Sequence, residues 1–148
     1  MQHSETITIG RPSEDVWAYI GDVRSWPKWL AGVSDVEIPS GEMTEGTQLS
    51  YKFRGRETQP TITAYERGQM LGIAASEKGY EFAESITLHP DGDQTEVSFT
   101  MGFEPTVWWM KGLAAALSPF KSTVLGRSMR KEMRSLKTTV EAEATQEA

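Results

Sequence analysis

The sequence predicts an α+β fold in which a seven-stranded antiparallel sheet curves around a long C-terminal helix. An alternating strand at residues 4–9 precedes two short helical segments, six further alternating runs lie between residues 34 and 103, and helical periodicity then extends almost to the end. Short turns join the six runs, which favours antiparallel pairing of neighbours. The 148 residues suit one domain, expected at residues 1–142, with a polar tail at 143–148 that we expect to fray.

The two short helical segments directly follow the first strand. Ser13 is expected to cap the first of them, and the two acidic residues after it suit the positive end of its dipole. The second segment contains the stretch SWPKWL, in which Pro27 is tolerated in a first helical turn and Trp26 and Trp29 lie on one side. Two short helices are therefore expected before the rest of the sheet.

Turn residues divide the rest of the sheet into six strands. Gly55, Gly68, Gly79 and the sequence PDGD at 90–93 separate neighbouring runs. Pro60 predicts an irregular or edge position within one run, because proline cannot donate a ladder hydrogen bond. The predicted strands are 34–38, 46–54, 56–66, 69–77, 80–88 and 95–103.

The segment after the sheet predicts two helices. Ser118 and Pro119 have the pattern of a cap followed by a first-turn proline, so we expect a short helix at about 107–116 and a long one at about 119–142. Two apolar stripes on adjacent faces indicate that the two halves of the long helix meet different surfaces. One stripe contains Leu117, Phe120 and Val124, and the other contains Leu125, Met129, Met133, Leu136 and Val140.

Composition and charge argue against several function classes. The formal net charge of −6 argues against nucleic acid as a partner, because phosphate binding needs clustered Lys and Arg. The chain has no cysteine, so it has neither a disulfide framework nor a thiolate site. The longest apolar run, residues 107–117, is interrupted by Lys111 and is too short to cross a bilayer. We therefore expect a cytoplasmic protein with no cofactor and no transmembrane segment.

The two histidines do not indicate a metal site. His3 lies near the N-terminus and His89 lies beside the turn at 90–93, whereas a site of two histidines and one carboxylate would need both in the interior. The acidic turn itself is too short for a calcium loop. We predict that no metal is bound.

Two stretches of the sequence resemble the START-like superfamily, also called SRPBCC. Residues 7–33, ITIGRPSEDVWAYIGDVRSWPKWLAGV, resemble its opening, especially in the polyketide cyclase/dehydrase branch, and residues 133–143, MRSLKTTVEAE, resemble the usual close of that branch. The likeness covers nearly the whole chain. It implies the helix-grip fold, with a pocket between sheet and long helix that the tryptophan-bearing helices gate. It says little about activity, because this scaffold serves hormone and lipid binders, cyclases, co-chaperones and oxygenase domains.

The apolar face of the strands fits such a pocket. Aromatic and methionine side chains suit an apolar ligand of adaptable shape, so we expect a lipid-, polyketide- or aromatic-like small molecule. The alternative is that these side chains fill the centre completely. Trp26 and Trp29 are expected either to close the mouth or to pin the small helices onto the sheet. The predicted ligand-binding residues are Trp26, Trp29, Leu49, Tyr51, Phe53, Phe82, Glu84, Ile86, Phe99, Met101, Phe103, Leu117, Phe120 and Val124.

Glu84 is the first candidate for chemistry. It shares a strand face with Phe82 and Ile86, and every other member of that face is apolar. Burial would raise the pKa of its carboxyl group and suit it to act as a general acid or base, or to hold a polar group of a ligand. The alternatives are a bulge near Ala83 that turns Glu84 to solvent, or a pairing with a nearby Arg or Lys.

Tyrosine and arginine side chains supply further candidates. Tyr51 and Tyr65 offer phenol donors that would polarise a ligand carbonyl, although a core tyrosine with its hydroxyl at the rim is the more common arrangement. Arg54 and Arg56 flank the Gly55 turn, where they would attract an anionic head group or simply form a solvated hairpin tip.

Two segments of the C-terminal region have several possible roles. We expect Trp108, Trp109 and Met110 to be buried against the sheet; the alternatives are that they cover the far end of the pocket or form an exposed patch for a membrane or a partner. The basic run at 127–134, which contains Glu132, is expected to be a solvated helix face.

Three functions remain open from the sequence. The first is binding of an apolar small molecule between sheet and helix, driven by desolvation. The second is an enzyme of cyclase or dehydratase type in which Glu84 and a tyrosine move protons. The third is an assembly or chaperone-like protein that uses the patch at residues 108–110.

Overall fold

The computed structural model describes residues 2–147, apart from the side chains of residues 114, 117–125 and 144–147. It confirms the α+β helix-grip fold, with an antiparallel sheet against a long C-terminal helix. The elements in chain order are β1 Gln2–Ile9, α1 Ser13–Ile20, a 3₁₀ helix Val23–Lys28, β2 Val33–Glu37, β3 Ser50–Phe53, β4 Arg56–Thr58, β5 Thr61–Glu66, β6 Met70–Glu77, β7 Tyr80–Asp91, β8 Gln94–Pro105 and α2 Trp108–Glu147.

The strands form two sheets, rather than the single seven-stranded sheet that the sequence predicts. Five strands pair in the order β1-β8-β7-β6-β5, and three pair in the order β2-β3-β4. The extra strand arises because the predicted strand at 56–66 is broken at Pro60, which has no backbone N–H for a ladder. The carbonyl of Pro60 instead accepts a 2.8 Å hydrogen bond from Leu49 N, and a bridge between Gln48 and Thr61 links the two sheets.

The longest hairpin, β7–β8, has an unbroken register. Its pairs run from Tyr80 opposite Pro105 to Asp91 opposite Gln94 without a bulge. Since side chains alternate between the two faces of a strand, Glu84 points to the same face as its apolar neighbours at positions 82 and 86.

The helices differ from the prediction at their ends. Ser13 is the first helical residue of α1 rather than its cap, and Pro12 occupies the cap position without a side-chain hydrogen bond. The second short helix is 3₁₀, and the side chain of Asp22 caps it by accepting from Arg24 N at 3.0 Å.

Helix α2 extends as one helix from Trp108 to Glu147, so the prediction of two helices at 107–116 and 119–142 is wrong. A helix interior can hold a proline when it gives up one backbone hydrogen bond. The side chains of Ser118 and Pro119, on which the predicted break rests, lie outside the described residues.

The main core lies between the five-stranded sheet, α1 and the second half of α2. The inward side chains of α2 in this half are the predicted second stripe from Met129 to Val140, and each of those described is buried. They meet inward residues of the sheet and of α1, all of which are fully or nearly fully buried: Ile9, Val16, Ile20, Ile86, Leu88, Val97 and Phe99.

Candidate functional site

A cavity of about 620 Å³ lies beyond this core, at the end of the interior where the two sheets meet α2. The three-stranded sheet contributes one wall, and the ends of β6, β7 and β8 contribute the opposite wall. Its aromatic and apolar lining consists of Trp26, Leu30, Tyr51, Phe53, Tyr80, Phe82, Met101 and Phe103. The charged side chains of Glu84 and Glu132 also reach it, and Arg54, Arg56 and Lys78 are exposed residues of its lining.

The predicted ligand-binding face is divided between this cavity and the core. Seven of the predicted residues line the cavity: Trp26, Tyr51, Phe53, Phe82, Glu84, Met101 and Phe103. Four others are buried in the core and do not line it: Trp29, Leu49, Ile86 and Phe99. The side chains of Leu117, Phe120 and Val124 lie outside the described residues.

The β7–β8 register explains which strand residues reach the cavity. Phe82 pairs with Phe103 and Glu84 pairs with Met101, so these four side chains form two neighbouring inward rows. The rings of Phe82 and Phe103 lie 6.5 Å apart, and Tyr80 lies 6.0 Å from Phe103 on its other side. The hairpin therefore supplies an aromatic wall in which Glu84 is the acidic member.

Glu84 faces the cavity, because no bulge interrupts β7 at Ala83. Burial raises the pKa of its carboxyl group from 4.5 to about 7, and repulsion from the Glu132 carboxylate adds to this. At neutral pH the group therefore exists in both protonated and ionised forms, which is the condition under which a carboxyl both donates and accepts protons.

Glu132 provides a second carboxyl group in the cavity, so the prediction that its helix segment is a solvated face is wrong at this residue. Burial raises the pKa of Glu132 to about 7, and the guanidinium of Arg54 opposes this rise. The missed signal is its helical spacing, since Glu132 lies three residues after Met129 and four before Leu136, both of which are buried. Sheet and helix thus each contribute one carboxyl group to the cavity.

Tyr51 places a phenol beside these carboxyl groups. Burial raises the pKa of Tyr51 above its ordinary value, and the Glu84 carboxylate is the next contributor to the rise. The phenol therefore keeps its proton across the physiological range and can donate a hydrogen bond. The ring of Trp26 packs edge-on against Tyr51 at 5.7 Å and holds it in place.

Tyr65, the other predicted phenol donor, does not reach the cavity. Its hydroxyl donates a 3.2 Å hydrogen bond to the carbonyl of Gly21, and its ring lies 5.6 Å from that of Trp17. These contacts join β5 to the end of α1, so the structure gives Tyr65 a packing role.

Both tryptophans of the SWPKWL stretch pin the short helices. The Trp26 indole N–H donates to Ile20 O at 3.0 Å, and the Trp29 indole N–H donates to Tyr19 O at 2.8 Å. Trp29 also packs edge-on against Phe99 at 6.3 Å. Trp26 also lines the cavity, whereas Trp29 belongs to the core.

Two basic side chains extend from the turn between β3 and β4. Arg54 adopts a left-handed backbone conformation with φ of 52°, and Gly55 follows it with φ of 82°. The Arg54 guanidinium lies 5.2 Å from the centre of the Phe53 ring. Arg54 and Arg56 are both exposed, so they form part of the mouth of the cavity.

The histidines lie apart from each other in the fold. His3, on β1, hydrogen-bonds to Glu5 at 2.8 Å, whereas His89 is exposed near the far end of β7. Within the described residues, no group of three or more His, Cys, Asp or Glu side chains could hold a metal ion.

Trp108 and Trp109 are exposed, which contradicts the expectation of burial. Their side chains are 84% and 56% exposed, and Leu113 on the next turn is 52% exposed. The reason is that Met110 is the residue of this cluster that packs on the body of the protein. A Cβ atom on Gly79 would lie 2.5 Å from Met110 Sδ, so Met110 covers the β6–β7 turn and its two neighbours point outward.

None of the helices in the described part of the chain is long and apolar enough to span a membrane. The sequence matches no curated protein.

Solved structures with the same fold have little sequence in common with this chain. A START superfamily protein from Mycobacterium smegmatis superimposes with a TM-score of 0.75 at 14% identity, covering 95% of this chain and 97% of that one. A hypothetical protein from Helicobacter pylori gives a TM-score of 0.72 at 13% identity, covering 93% and 86%. A point mutant of Thalictrum flavum norcoclaurine synthase, in complex with a transition-state analogue, gives 0.69 at 14% identity, covering 97% and 96%. At these identities the likeness establishes the fold alone.

Family membership rests on the sequence of nearly the whole chain. Residues 2–141 match the model of a single family, and this range includes every cavity residue described above. The protein belongs to the family described as polyketide cyclase / dehydrase and lipid transport.

Proposed function

We propose that the cavity binds a largely apolar, ring-containing small molecule that has one polar group. The observation that carries this proposal is a cavity of about 620 Å³ with aromatic walls and two carboxyl groups. Ligand pockets typically have about 300–1,000 Å³ of space, apolar walls and a few polar groups that fix orientation. Apolar surface that is removed from water when the ligand binds contributes roughly 25 cal/mol per Å² to the binding free energy.

Glu84, Glu132 and Tyr51 are the proposed partners of the polar group of the ligand. Among the described residues, neither carboxyl group has a hydrogen-bond or ion-pair partner. Both residues are half-buried at the cavity, so a ligand that supplies hydrogen bonds to their carboxyl groups would gain affinity and orientation. Arg54 and Arg56 at the mouth would attract ligands with an anionic group.

Proton-transfer catalysis on such a ligand is the second candidate function, and Glu84 beside a phenol favours it. In a dehydration, the Glu84 carboxylate would take a proton from carbon and return it to the departing hydroxyl group, which leaves as water. The Tyr51 phenol would donate a hydrogen bond to a carbonyl and stabilise the charge that develops there. The family description includes cyclases and dehydrases, and a synthase shares the fold, which is consistent with this role.

Native mass spectrometry of gently purified protein, followed by extraction, tests the binding proposal. We expect a bound small molecule, and we expect the fluorescent probe 1-anilinonaphthalene-8-sulfonate to bind in the emptied cavity. Met101→Trp fills the cavity and should weaken probe binding by at least about tenfold. Ala83→Trp is the matched control, because Ala83 is exposed on the opposite face of β7 and its variant should bind the probe normally. Equal probe binding by both variants would overturn the proposal.

The catalytic candidate needs a separate experiment. The extracted molecule is incubated with the protein in D₂O, and deuterium incorporation is followed by mass spectrometry. Incorporation with the wild type and with Glu81→Gln, but not with Glu84→Gln, would support proton transfer by Glu84. Absence of incorporation with the wild type would leave binding as the function.

A further inference from the structure

We propose that the exposed first two turns of α2 dock on the surface of an anionic lipid bilayer and hold the β6–β7 end of the cavity next to that surface. We call the residues Trp108, Trp109, Lys111 and Leu113 the α2 patch. Docking by this patch does not depend on the identity of the ligand.

The α2 patch exposes large apolar side chains within the first two turns of the helix. Trp108 is 84% exposed, Trp109 is 56% exposed and Leu113 is 52% exposed, and these are the exposed large hydrophobic residues of the described chain. Contiguous exposed apolar side chains mark interaction sites. Tryptophan in particular concentrates at the level of lipid head groups, because its ring is apolar and its N–H is polar.

The patch lies beside the cavity. Met110 and Val107 contact Gly79 in the β6–β7 turn, and Thr106 N donates a 2.8 Å hydrogen bond to Gly79 O. The residues on either side of that glycine, Lys78 and Tyr80, both line the cavity. One tight turn therefore separates the cavity from the helix surface that carries the tryptophans.

Charge complementarity selects an anionic surface. Residues 108–131 contain five Lys or Arg and no acidic residue, although the whole chain has a net charge of −6, so the rest of the chain carries −11. Lys111 is exposed within the α2 patch. Each Lys or Arg near an anionic membrane strengthens binding to it. An anionic bilayer would thus attract this part of the helix.

The other charges of this region allow the same orientation. Arg130 is engaged by Glu5 at 2.7 Å, but Arg127 and Lys131 are exposed. The side chain of Lys121 lies outside the described residues. The lining of the cavity contains three cations and four acidic residues, of which Glu77 accepts a hydrogen bond from Thr58. Glu81 and Glu104 are also exposed near the start of α2, where they lie opposite each other on the face of the β7–β8 hairpin that points away from the cavity.

The size of the patch favours a bilayer over a protein partner. Each large apolar side chain buries at most about 250 Å². The three exposed ones among the described residues therefore supply less than the roughly 800 Å² that each partner buries in a stable protein complex. A lipid surface imposes no such requirement, because insertion of a few side chains together with electrostatic attraction is sufficient for reversible binding.

Vesicle flotation tests the proposal with the full chain. We expect the wild type to float with vesicles of phosphatidylcholine and phosphatidylglycerol at physiological salt, to float much less with phosphatidylcholine alone, and to dissociate at high salt. The double variant Trp108→Ala/Trp109→Ala should lose at least about tenfold in partitioning. His89→Ala, exposed near the far end of β7, is the control and should float like the wild type.

Three outcomes would overturn the proposal: no flotation of the wild type with either vesicle, flotation of the double variant at the wild-type level, or a dimer in light scattering that the double variant abolishes while the wild type fails to float. The last result would assign the α2 patch to a second copy of the chain. Probe binding in the cavity should be unchanged in the double variant, so a failure of docking is distinguishable from a failure of the proposed ligand binding.

Discussion

The interior is filled at one end and hollow at the other, although the same two strands line both ends. On β7, Ile86 and Leu88 are buried in the core, whereas Phe82 and Glu84 face the cavity. On β8, Phe99 belongs to the core, and the next two inward residues line the cavity. The alternation of side chains is continuous along both strands, so it does not decide which end is hollow.

The difference arises from the elements that face the strands. At the filled end, Trp29, Met133 and Leu136 close onto the sheet. The hydroxyl of Ser135 also donates a 2.6 Å hydrogen bond to Trp29 O and ties α2 to the short helix. At the hollow end the facing surface is the short three-stranded sheet together with Glu132. A cavity therefore forms where a thin sheet and a carboxyl group replace large apolar side chains.

Substitution in the filled end should have the largest effect on stability. Leu136 is 0% exposed, and Leu136→Ala should lower the free energy of unfolding by about 2–5 kcal/mol, because it removes apolar contacts and leaves a void. Met101→Ala at the hollow end should lower it by only about 1 kcal/mol, since it enlarges a space that already exists. Urea unfolding measures both values. Equal losses would show that the hollow end is filled.

The next largest effect concerns the charge in the hollow end. Folding raises the pKa of Glu84 from 4.5 to about 7, so the folded state binds more protons between these pH values. The contribution of Glu84 to stability is therefore greatest below pH 4.5 and is lost as the pH rises through about 7. At pH 8, Glu84→Gln should raise the free energy of unfolding by about 2–3 kcal/mol. The rise in pKa corresponds to about 3.5 kcal/mol at about 1.4 kcal/mol per pKa unit, and solvent screening of this half-buried group reduces that value.

Glu81→Gln is the matched control for this prediction. Glu81 lies on the same strand, exposed on the opposite face, so its variant should follow the wild-type dependence on pH. The Glu84→Gln variant should show a shallower fall in stability between pH 5 and pH 8. If the free energy of unfolding depended on pH in the same way in both variants, the pKa of Glu84 would not be raised in the folded protein.

Substitutions of Trp26 and Trp29 should affect stability alike but ligand binding differently, because the two residues lie at different ends of the interior. Trp29→Phe and Trp26→Phe each remove one indole hydrogen bond to a carbonyl of α1, so each should cost about 1–3 kcal/mol of stability. Only Trp26 lines the cavity, so only Trp26→Phe should change the affinity for 1-anilinonaphthalene-8-sulfonate. A comparable change of affinity in Trp29→Phe would mean that the cavity extends into the filled end.

The smallest expected effects concern the two tyrosines. Tyr65→Phe removes the hydrogen bond to Gly21 O and should cost about 1 kcal/mol without changing probe affinity. Tyr51→Phe should leave stability nearly unchanged and alter the affinity for the co-purified ligand. Chemical unfolding measures the stability of each variant, and ligand titration measures its affinity. A loss of stability in Tyr51→Phe together with a change of affinity in Tyr65→Phe would mean that the two phenols have the opposite roles.

Local patterns predicted the fold and one wall of the cavity. Alternation on β7 and β8 depends only on the two-residue period, so it placed Phe82, Glu84, Met101 and Phe103 on one face correctly. Pro60 likewise predicted an irregular position, because proline has no backbone N–H to donate to a neighbouring strand. These features lie within short stretches of chain.

Features that depend on contacts distant in sequence were not predicted. The half-buried position of Glu132 at the cavity follows from where α2 crosses it, and its basic sequence neighbours concealed this. The exposure of Trp108 and Trp109 follows from the packing of Met110 and Val107 on Gly79, which the composition of the cluster does not reveal. In both cases the tertiary position of α2, rather than the helical pattern, decides what each side chain meets.

Titration of the Glu84 carboxyl carbon by ¹³C NMR tests whether Glu84 faces a hollow, largely apolar end of the interior. The resonance is assigned by its loss in Glu84→Gln. We expect a midpoint near pH 7, which falls when Glu132→Gln removes the neighbouring charge. A midpoint near 4.5, unaffected by Glu132→Gln, would place the carboxyl group in solvent and contradict the account.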